Sequence, residues 1–348
     1  MKIGLVGFSG SGKSTVFHWL TGAAPDPARV QQGQIGNAKV PDPRLDFLFG
    51  LFKPKKNHPI YAEVSFLDTP GLLMEERKDN PRRLAILREA AGLVVVLDGF
   101  GRTDLAAQLR RFREELLFAD LDIVTNRIHR LETNLKKPRP AKEREADEAE
   151  LALLRRLVAA FESGETAATL GLHPDEEKIV RSFQLLTLKP ELVVVNRGDA
   201  ETLKAKLPTE LLIAAPAALQ AAPKLELELE DLPPEDRAAF AADLGLGASD
   251  RADVLRTIFA EMGRIVFFTV GDDECRAWPV MKGADAVEGA GQIHTDLAKR
   301  FVRAEVVSFD DFKKVGSMKE AKAHGVYRLE GKTYVVQDGD IMHILAST

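Results

Sequence analysis

Apolar residues along this chain fall into three textures. The first is a set of short, largely apolar runs: Ile3–Val6, Tyr61–Leu67, Leu93–Leu97, Leu192–Val195 and a weaker one at Leu211–Ala214. Runs of this length, bounded by Gly, Asp or Pro, read as strands of a mostly parallel sheet that is covered on both faces. Helical stretches separate them, beginning with Lys13–Leu20. Alternation of strand and helix predicts an α/β fold with a doubly wound sheet.

The second texture occupies residues 104–172. Leu117, Leu121, Val124, Ile128, Leu131 and Leu135 step by four and three residues. Lys136-Lys137-Pro138-Arg139-Pro140 stops that helix, because proline lacks the N–H and clashes with the preceding turn. A second helix follows, with Leu154, Leu157 and Phe161 on one face. The pattern predicts an antiparallel helical coiled-coil hairpin inserted into the α/β domain. Its dense mixed charge fits either a solvated face or an arm that docks on a large partner.

The third texture begins near Gly263. After two helices at 234–244 and 250–262, β-type runs appear at Ile265–Val270, Glu305–Phe309, Gly325–Leu329, Thr333–Gln337 and Ile341–Leu345. Turn residues separate several of them, which predicts a small, mostly β C-terminal domain. The expected domains are thus a phosphate-loop domain in two segments (1–103 and 173–263), the hairpin (104–172) and the C-terminal domain (264–348).

Directly behind the first strand, Gly7-Phe8-Ser9-Gly10-Ser11-Gly12-Lys13-Ser14-Thr15 matches G-x-x-x-x-G-K-[ST]. Small residues let backbone N–H groups curl around phosphate oxygens, and the following helix N-terminus adds partial positive charge. Lys13 can reach the β- and γ-phosphates, and the Ser14 hydroxyl can ligate Mg²⁺. Asp68-Thr69-Pro70-Gly71 ends the second strand, where an aspartate can hold Mg²⁺ and the Gly71 N–H can meet a γ-phosphate. Asn196-Arg197-Gly198-Asp199 follows the strand at 193–195 and fits N-K-x-D with arginine for lysine. An aspartate there can accept from guanine N1–H and N2–H₂, a pair that adenine lacks. GTP is therefore expected over ATP. Lys224 is a weaker candidate for the last base-side loop.

Charge and composition narrow the field. A net charge of −5 excludes a strongly basic nucleic-acid binder, and no motif for reading DNA sequence is present. The single cysteine, Cys275, allows no internal disulfide, and the phosphate loop stands where a signal peptide would be, so a cytoplasmic protein is expected. No apolar run approaches the ~20 residues that span a bilayer. The seven histidines show no metal-ligand spacing.

Taken together these residues resemble the Obg-like ATPase (YchF) family of P-loop NTPases, over nearly the whole chain. Val40-Pro41-Asp42-Pro43-Arg44-Leu45-Asp46 with Lys53-Pro54-Lys55-Lys56 resembles the family's segment before the second strand. Arg181–Pro190 resembles its lead into the base-reading strand. Glu274–Trp278, Gly291–Asp296, Arg303–Val306, Arg328–Lys332 and Asp338–His343 resemble its C-terminal TGS domain, a β-grasp module. The resemblance implies nucleotide hydrolysis and association with the ribosome or another RNA–protein assembly.

The departures gather at the chemistry. The family carries asparagine where this chain has Gly10, and in potassium-activated relatives that asparagine helps hold the cation. Val30 stands where a switch I threonine would ligate Mg²⁺. Switch II, Leu73–Pro81, is glycine-free, and Leu72 follows Gly71 where Ras-like GTPases place a water-orienting glutamine. The family reads bases with N-x-x-E and favours ATP, whereas this chain has Asp199. Two readings follow: a slow NTPase switch, or a nucleotide-binding module that does not hydrolyse.

Overall fold

The computed structural model describes residues 1–75, 77–100, 104–244 and 251–347. Contacts divide the chain into two compact units, residues 1–36 with 65–249 and residues 37–64 with 250–348.

In chain order the first elements are β1 (Lys2–Val6), α1 (Lys13–Thr21), α2 (Pro27–Val30), β2 (Gln34–Val40), α3 (Pro43–Phe52) and β3 (Ala62–Asp68). Then come α4 (Asn80–Ala85), β4 (Gly92–Asp98), α5 (Leu105–Leu135), α6 (Ala141–Glu162), α7 (Pro174–Val180) and β5 (Glu191–Asn196). Next are α8 (Ala200–Lys204), α9 (Thr209–Ala214), β6 (Leu219–Ala221), α10 (Pro223–Glu230), α11 (Pro234–Leu244) and α12 (Arg251–Glu261). The last stretch holds β7 (Arg264–Val270), β8 (Cys275–Met281), α13 (Ala286–Ile293), β9 (Phe301–Ser308), β10 (Arg328–Glu330) and β11 (Asp340–Ala346), with short helices between.

A six-stranded sheet runs in the order β2-β3-β1-β4-β5-β6. β1 pairs in parallel with β3 and β4, and β4–β5 and β5–β6 are parallel too. β1 and β4 are apolar and buried through their centres, as expected of strands covered on both faces. Phosphate-loop chemistry sits where β1 and β3 end at their carboxyl edge.

The hairpin forms as the spacing predicted. α5 and α6 pack through Val124, Leu131, Leu154, Leu157 and Phe161, with Leu117, Leu121, Ile128 and Leu135 partly buried beside them. Asp120, fully buried, ties α5 to the main body. Its carboxylate accepts from Arg88 (2.8 Å), the Leu186 and Thr187 amides (3.0 and 2.8 Å) and the Thr187 hydroxyl (2.9 Å).

The second unit contains a five-stranded sheet in the order β10-β9-β11-β7-β8. β7–β8 is an antiparallel hairpin, β11 returns parallel to β7, and β9 pairs antiparallel with β11 and β10. With α13 contributing Ala286 and Ala290 to its core, this is a β-grasp arrangement.

Three local expectations are corrected. Leu211–Ala214 is a helical turn, α9, and the sixth strand is β6. Only Leu211 is buried there, while Ile213 is 77% exposed, so the apolar run is amphipathic and not strand-like. Thr333–Gln337 supplies a single bridge, Val335 to Asp285, and no strand. Phe309 leaves the strand and starts a helix capped by Ser308.

Candidate nucleotide site

The phosphate loop owes its path to glycine. Gly10 and Gly12 have φ of 86° and 84°, in the left-handed region that side chains disfavour. A Cβ on Gly12 would also fall 2.0 Å from Asn196 Nδ2. Asn196 in turn donates to Ser11 O at 3.0 Å, so the first residue of the Asn196–Asp199 segment braces the phosphate loop.

Lys13 is 6% exposed, and its ammonium donates to Phe8 O at 2.9 Å across the loop. Burial lowers it to about 8, with Asp68 opposing that fall and Arg83 adding to it. Asp68 is 0% exposed. Among the described residues neither of its carboxylate oxygens receives a well-formed hydrogen bond, although the Ser14 hydroxyl and the Thr69 amide approach it. Burial pushes the carboxyl up, while the nearby Ser14 hydroxyl and Lys13 charge hold it down. A buried carboxylate without well-formed hydrogen bonds is costly unless something cationic completes it. Together with the Ser14 hydroxyl it forms a hard oxygen donor set that fits Mg²⁺. Ser11 Oγ and Asn196 Oδ1 are buried and unpartnered, so polar capacity is held in reserve around the loop.

The D-x-x-G segment is bound directly to the loop. Ser9 N donates to Leu72 O at 2.9 Å and Leu72 N to Gly7 O at 3.0 Å. A Cβ at Gly71 would lie 2.6 Å from Ser9 Cα and 2.8 Å from Lys13 Nζ, so only glycine fits this approach. Leu72 is buried in the cluster that holds Phe8 and Phe112. It therefore points into the core, where it can neither orient nor activate water. Asn80 fixes the next residue, exchanging two 2.9 Å bonds with the Leu73 backbone and donating to Glu115 of α5. Arg83 donates to Gly71 O. Val30 ends α2, and its side chain lies outside the described residues.

The base-side residues divide. Asp199 caps α8, with Oδ1 accepting from Thr202 N at 2.7 Å, and that bond holds its carboxyl below the usual range. The side chain stays exposed. Arg197 is buried and turned toward Gln220 (3.2 Å), with burial lowering it and its Nε unpartnered. Lys224 stands in the first turn of α10, exposed, 3.7 Å from Glu228. Ser9 and Gly10 lie exposed at the loop tip, and Ser14 and Thr15 open α1 half-buried.

Sequence reasoning missed Phe100. It is 45% exposed, and its ring lies against both Gly12 and Gly198, 3.2 Å from a Cβ built on either. That places one aromatic ring against both the phosphate loop and the Asn196–Asp199 segment. No local pattern marks it, because three separate segments create the position. Cys275 is fully buried, its thiol pushed up by burial. His294 caps a short helix, its Nδ1 accepting from Asp296 N at 3.2 Å. Among the described residues no cluster of three metal-ligating side chains occurs, and no helix is long and apolar enough to cross a membrane.

The family described as "50S ribosome-binding GTPase" matches residues 2–127, and the YchF-GTPase_C family, "Protein of unknown function (DUF933)", matches 265–347. The chain is 34% identical to the ribosome-binding ATPase YchF of Haemophilus influenzae, covering 98% of each chain. It is 33% identical to Obg-like ATPase 1 of Oryza sativa subsp. japonica, covering 98% of this chain and 91% of that protein. The solved YchF GTPase of Schizosaccharomyces pombe superposes with a TM-score of 0.83 at 25% identity, covering 99% of this chain and 97% of that one. The chain belongs to the YchF/Obg-like ATPase family of P-loop NTPases.

Proposed function

We propose that this chain is a Mg²⁺-dependent purine nucleoside triphosphatase that works on the ribosome and takes GTP in preference to ATP. The observation that carries the reading is the Asp68 carboxylate, fully buried beside Ser14 and Lys13 and without a well-formed hydrogen bond to either oxygen. Asp68 and Ser14 would hold Mg²⁺, which neutralises charge on the β- and γ-phosphates when bound. Lys13 moves its ammonium from Phe8 O to phosphate oxygens, and Gly71 N–H meets the γ-phosphate. Catalysis then rests on positioning and charge, with no covalent intermediate. With Leu72 sealed in the core, turnover is slow until the ribosome contributes. Ribosome binding is carried over from the relatives' names. Residues 1–103 and 173–263 form the nucleotide domain, with 104–172 as its arm and 264–348 as the TGS-like domain.

Support for GTP comes from Asp199, an exposed and ionised carboxylate that can accept from guanine N1–H and N2–H₂. Phe100 offers a face beside it for the base. Preference for ATP is the second reading, favoured by the names of the relatives. Equilibrium titration of the nucleotide-free protein with GDP, GTP, ADP and ATP, with and without Mg²⁺, tests both. Asp199→Ala is expected to weaken GTP binding by roughly tenfold or more and leave ATP unchanged. Equal loss for both nucleotides, or none, removes the guanine argument.

A further inference from the structure

The Arg83 guanidinium has no assigned role, yet it reaches the centre of the site. Arg83 lies on α4, just past switch II, and points back to donate to Gly71 O. Lys13 approaches the same glycine from the loop side, its Nζ 2.8 Å from where a Gly71 Cβ would lie. The two cations thus flank the residue whose N–H faces a γ-phosphate. Among the described residues Arg83 has no carboxylate ion-pair partner, in contrast to Arg88, which Asp120 neutralises. It borders an open cavity of about 480 Å³ that Pro70 also lines, along with Gln31 and Gln32 just past α2. Asp79, on the same cavity, makes no ion pair with it. An anion could therefore reach the guanidinium without displacing a side-chain partner.

We propose that Arg83 is a catalytic arginine supplied in cis, whose guanidinium bonds the γ-phosphate oxygens as hydrolysis proceeds while Gly71 O keeps it aimed. The inference rests on the hydrolytic reading above. In the step it serves, a water oxygen bonds to the γ-phosphorus as the bond to the β–γ bridging oxygen breaks. The bridging electron pair stays on the nucleoside diphosphate. One water proton remains on inorganic phosphate and the other passes to solvent. Negative charge spreads over the γ-oxygens and the leaving oxygen, where a guanidinium is worth most. Because the residue after Gly71 cannot act on water, charge stabilisation gains weight among the contributions open to the chain.

The test compares Arg83→Ala and Arg83→Lys with the wild-type chain and Lys13→Ala, using Mg²⁺ with GTP or ATP, with and without ribosomes. Turnover of Arg83→Ala is expected to fall by roughly 10³-fold, the low end of the range for arginine fingers. Nucleotide affinity should stay within about threefold. Free guanidinium ion should restore part of that turnover, and the Arg83→Ala complex of Mg²⁺, diphosphate and aluminium fluoride should no longer form. Arg83→Lys keeps charge and length but loses the fork, so it should fold as wild type, bind nucleotide and remain slow. Wild-type turnover in Arg83→Ala overturns the inference alone. So does an equal loss of triphosphate, diphosphate and fluoride binding in both variants, which marks a merely structural residue. A wild-type rate that Lys13→Ala does not change overturns the hydrolytic reading and this inference together.

Discussion

The Mg²⁺ reading of the site rests on Asp68 and can be tested there. A carboxylate shut off from solvent, with only Ser14, Thr69 and the Lys13 charge close by to offset the lost water, is an unfavourable thing to bury. Asp68→Asn removes the charge and keeps the shape. The nucleotide-free protein is therefore expected to gain on the order of 1–2 kcal/mol, read as a higher melting temperature. Mg²⁺-dependent tightening of nucleotide binding should disappear in the same variant. A protein that melts lower, or that still binds nucleotide more tightly with Mg²⁺, would contradict the assignment. At this scale the sequence was informative wherever chemistry is local. Gly12, Lys13 and Ser14 are neighbours in the chain and remain neighbours in the site. Asn196 was legible as a motif but not as a brace, because its bond to Ser11 O spans 185 positions. Phe100 was not legible at all, since its surroundings are assembled from Gly12 and Gly198 by the fold.

Among the elements, the hairpin was the most readable and the small strands the least. A three–four leucine spacing repeated over many turns has few other solutions, and the leucines that carry it are those found in the hairpin core. β2 alternates in burial, but its inward residues are Gln34, Gly36, Ala38 and Val40, so hydrophobicity barely marks it. β8 contains Pro279, which argues against a central strand, and it runs at the edge of its sheet, where proline is tolerated. The hairpin's anchor carries its own prediction. Asp120 answers four donors from two segments, so Asp120→Ala leaves two amides and a hydroxyl without their acceptor and strips Arg88 of its carboxylate, leaving it only the Ala119 and Gln184 carbonyls. The expected cost is about 3–5 kcal/mol in chemical denaturation. Asp120→Asn should cost less, because its remaining oxygen can still accept. Equal stability of all three proteins would show that the hairpin is held by its apolar seam alone.

For the whole molecule, the question is which basic surface would meet RNA in a chain whose net charge is −5. Lys55 and Lys56 looked eligible in the sequence, but in the second unit they pair with Asp273 and Glu274 at 2.8 and 2.5 Å. Arg139 at the hairpin turn is also engaged, by Glu143 and Asp147. Lys136 and Lys137, exposed between α5 and α6, make no ion pair among the described residues. Free lysines at the end of a 31-residue helix are well placed to meet phosphates at low desolvation cost. On the reading that the chain works on the ribosome, Lys136→Glu with Lys137→Glu should weaken ribosome association. The slope of log affinity against log salt should become shallower by roughly 1.5, the release of two counterions. Nucleotide affinity should not change, because the tip is remote from Lys13 in the chain and belongs to no part of the nucleotide site. Cosedimentation with ribosomes across a salt series reads both quantities. An unchanged slope would mean that the arm's charge is a solvated face and that the ribosome is met elsewhere.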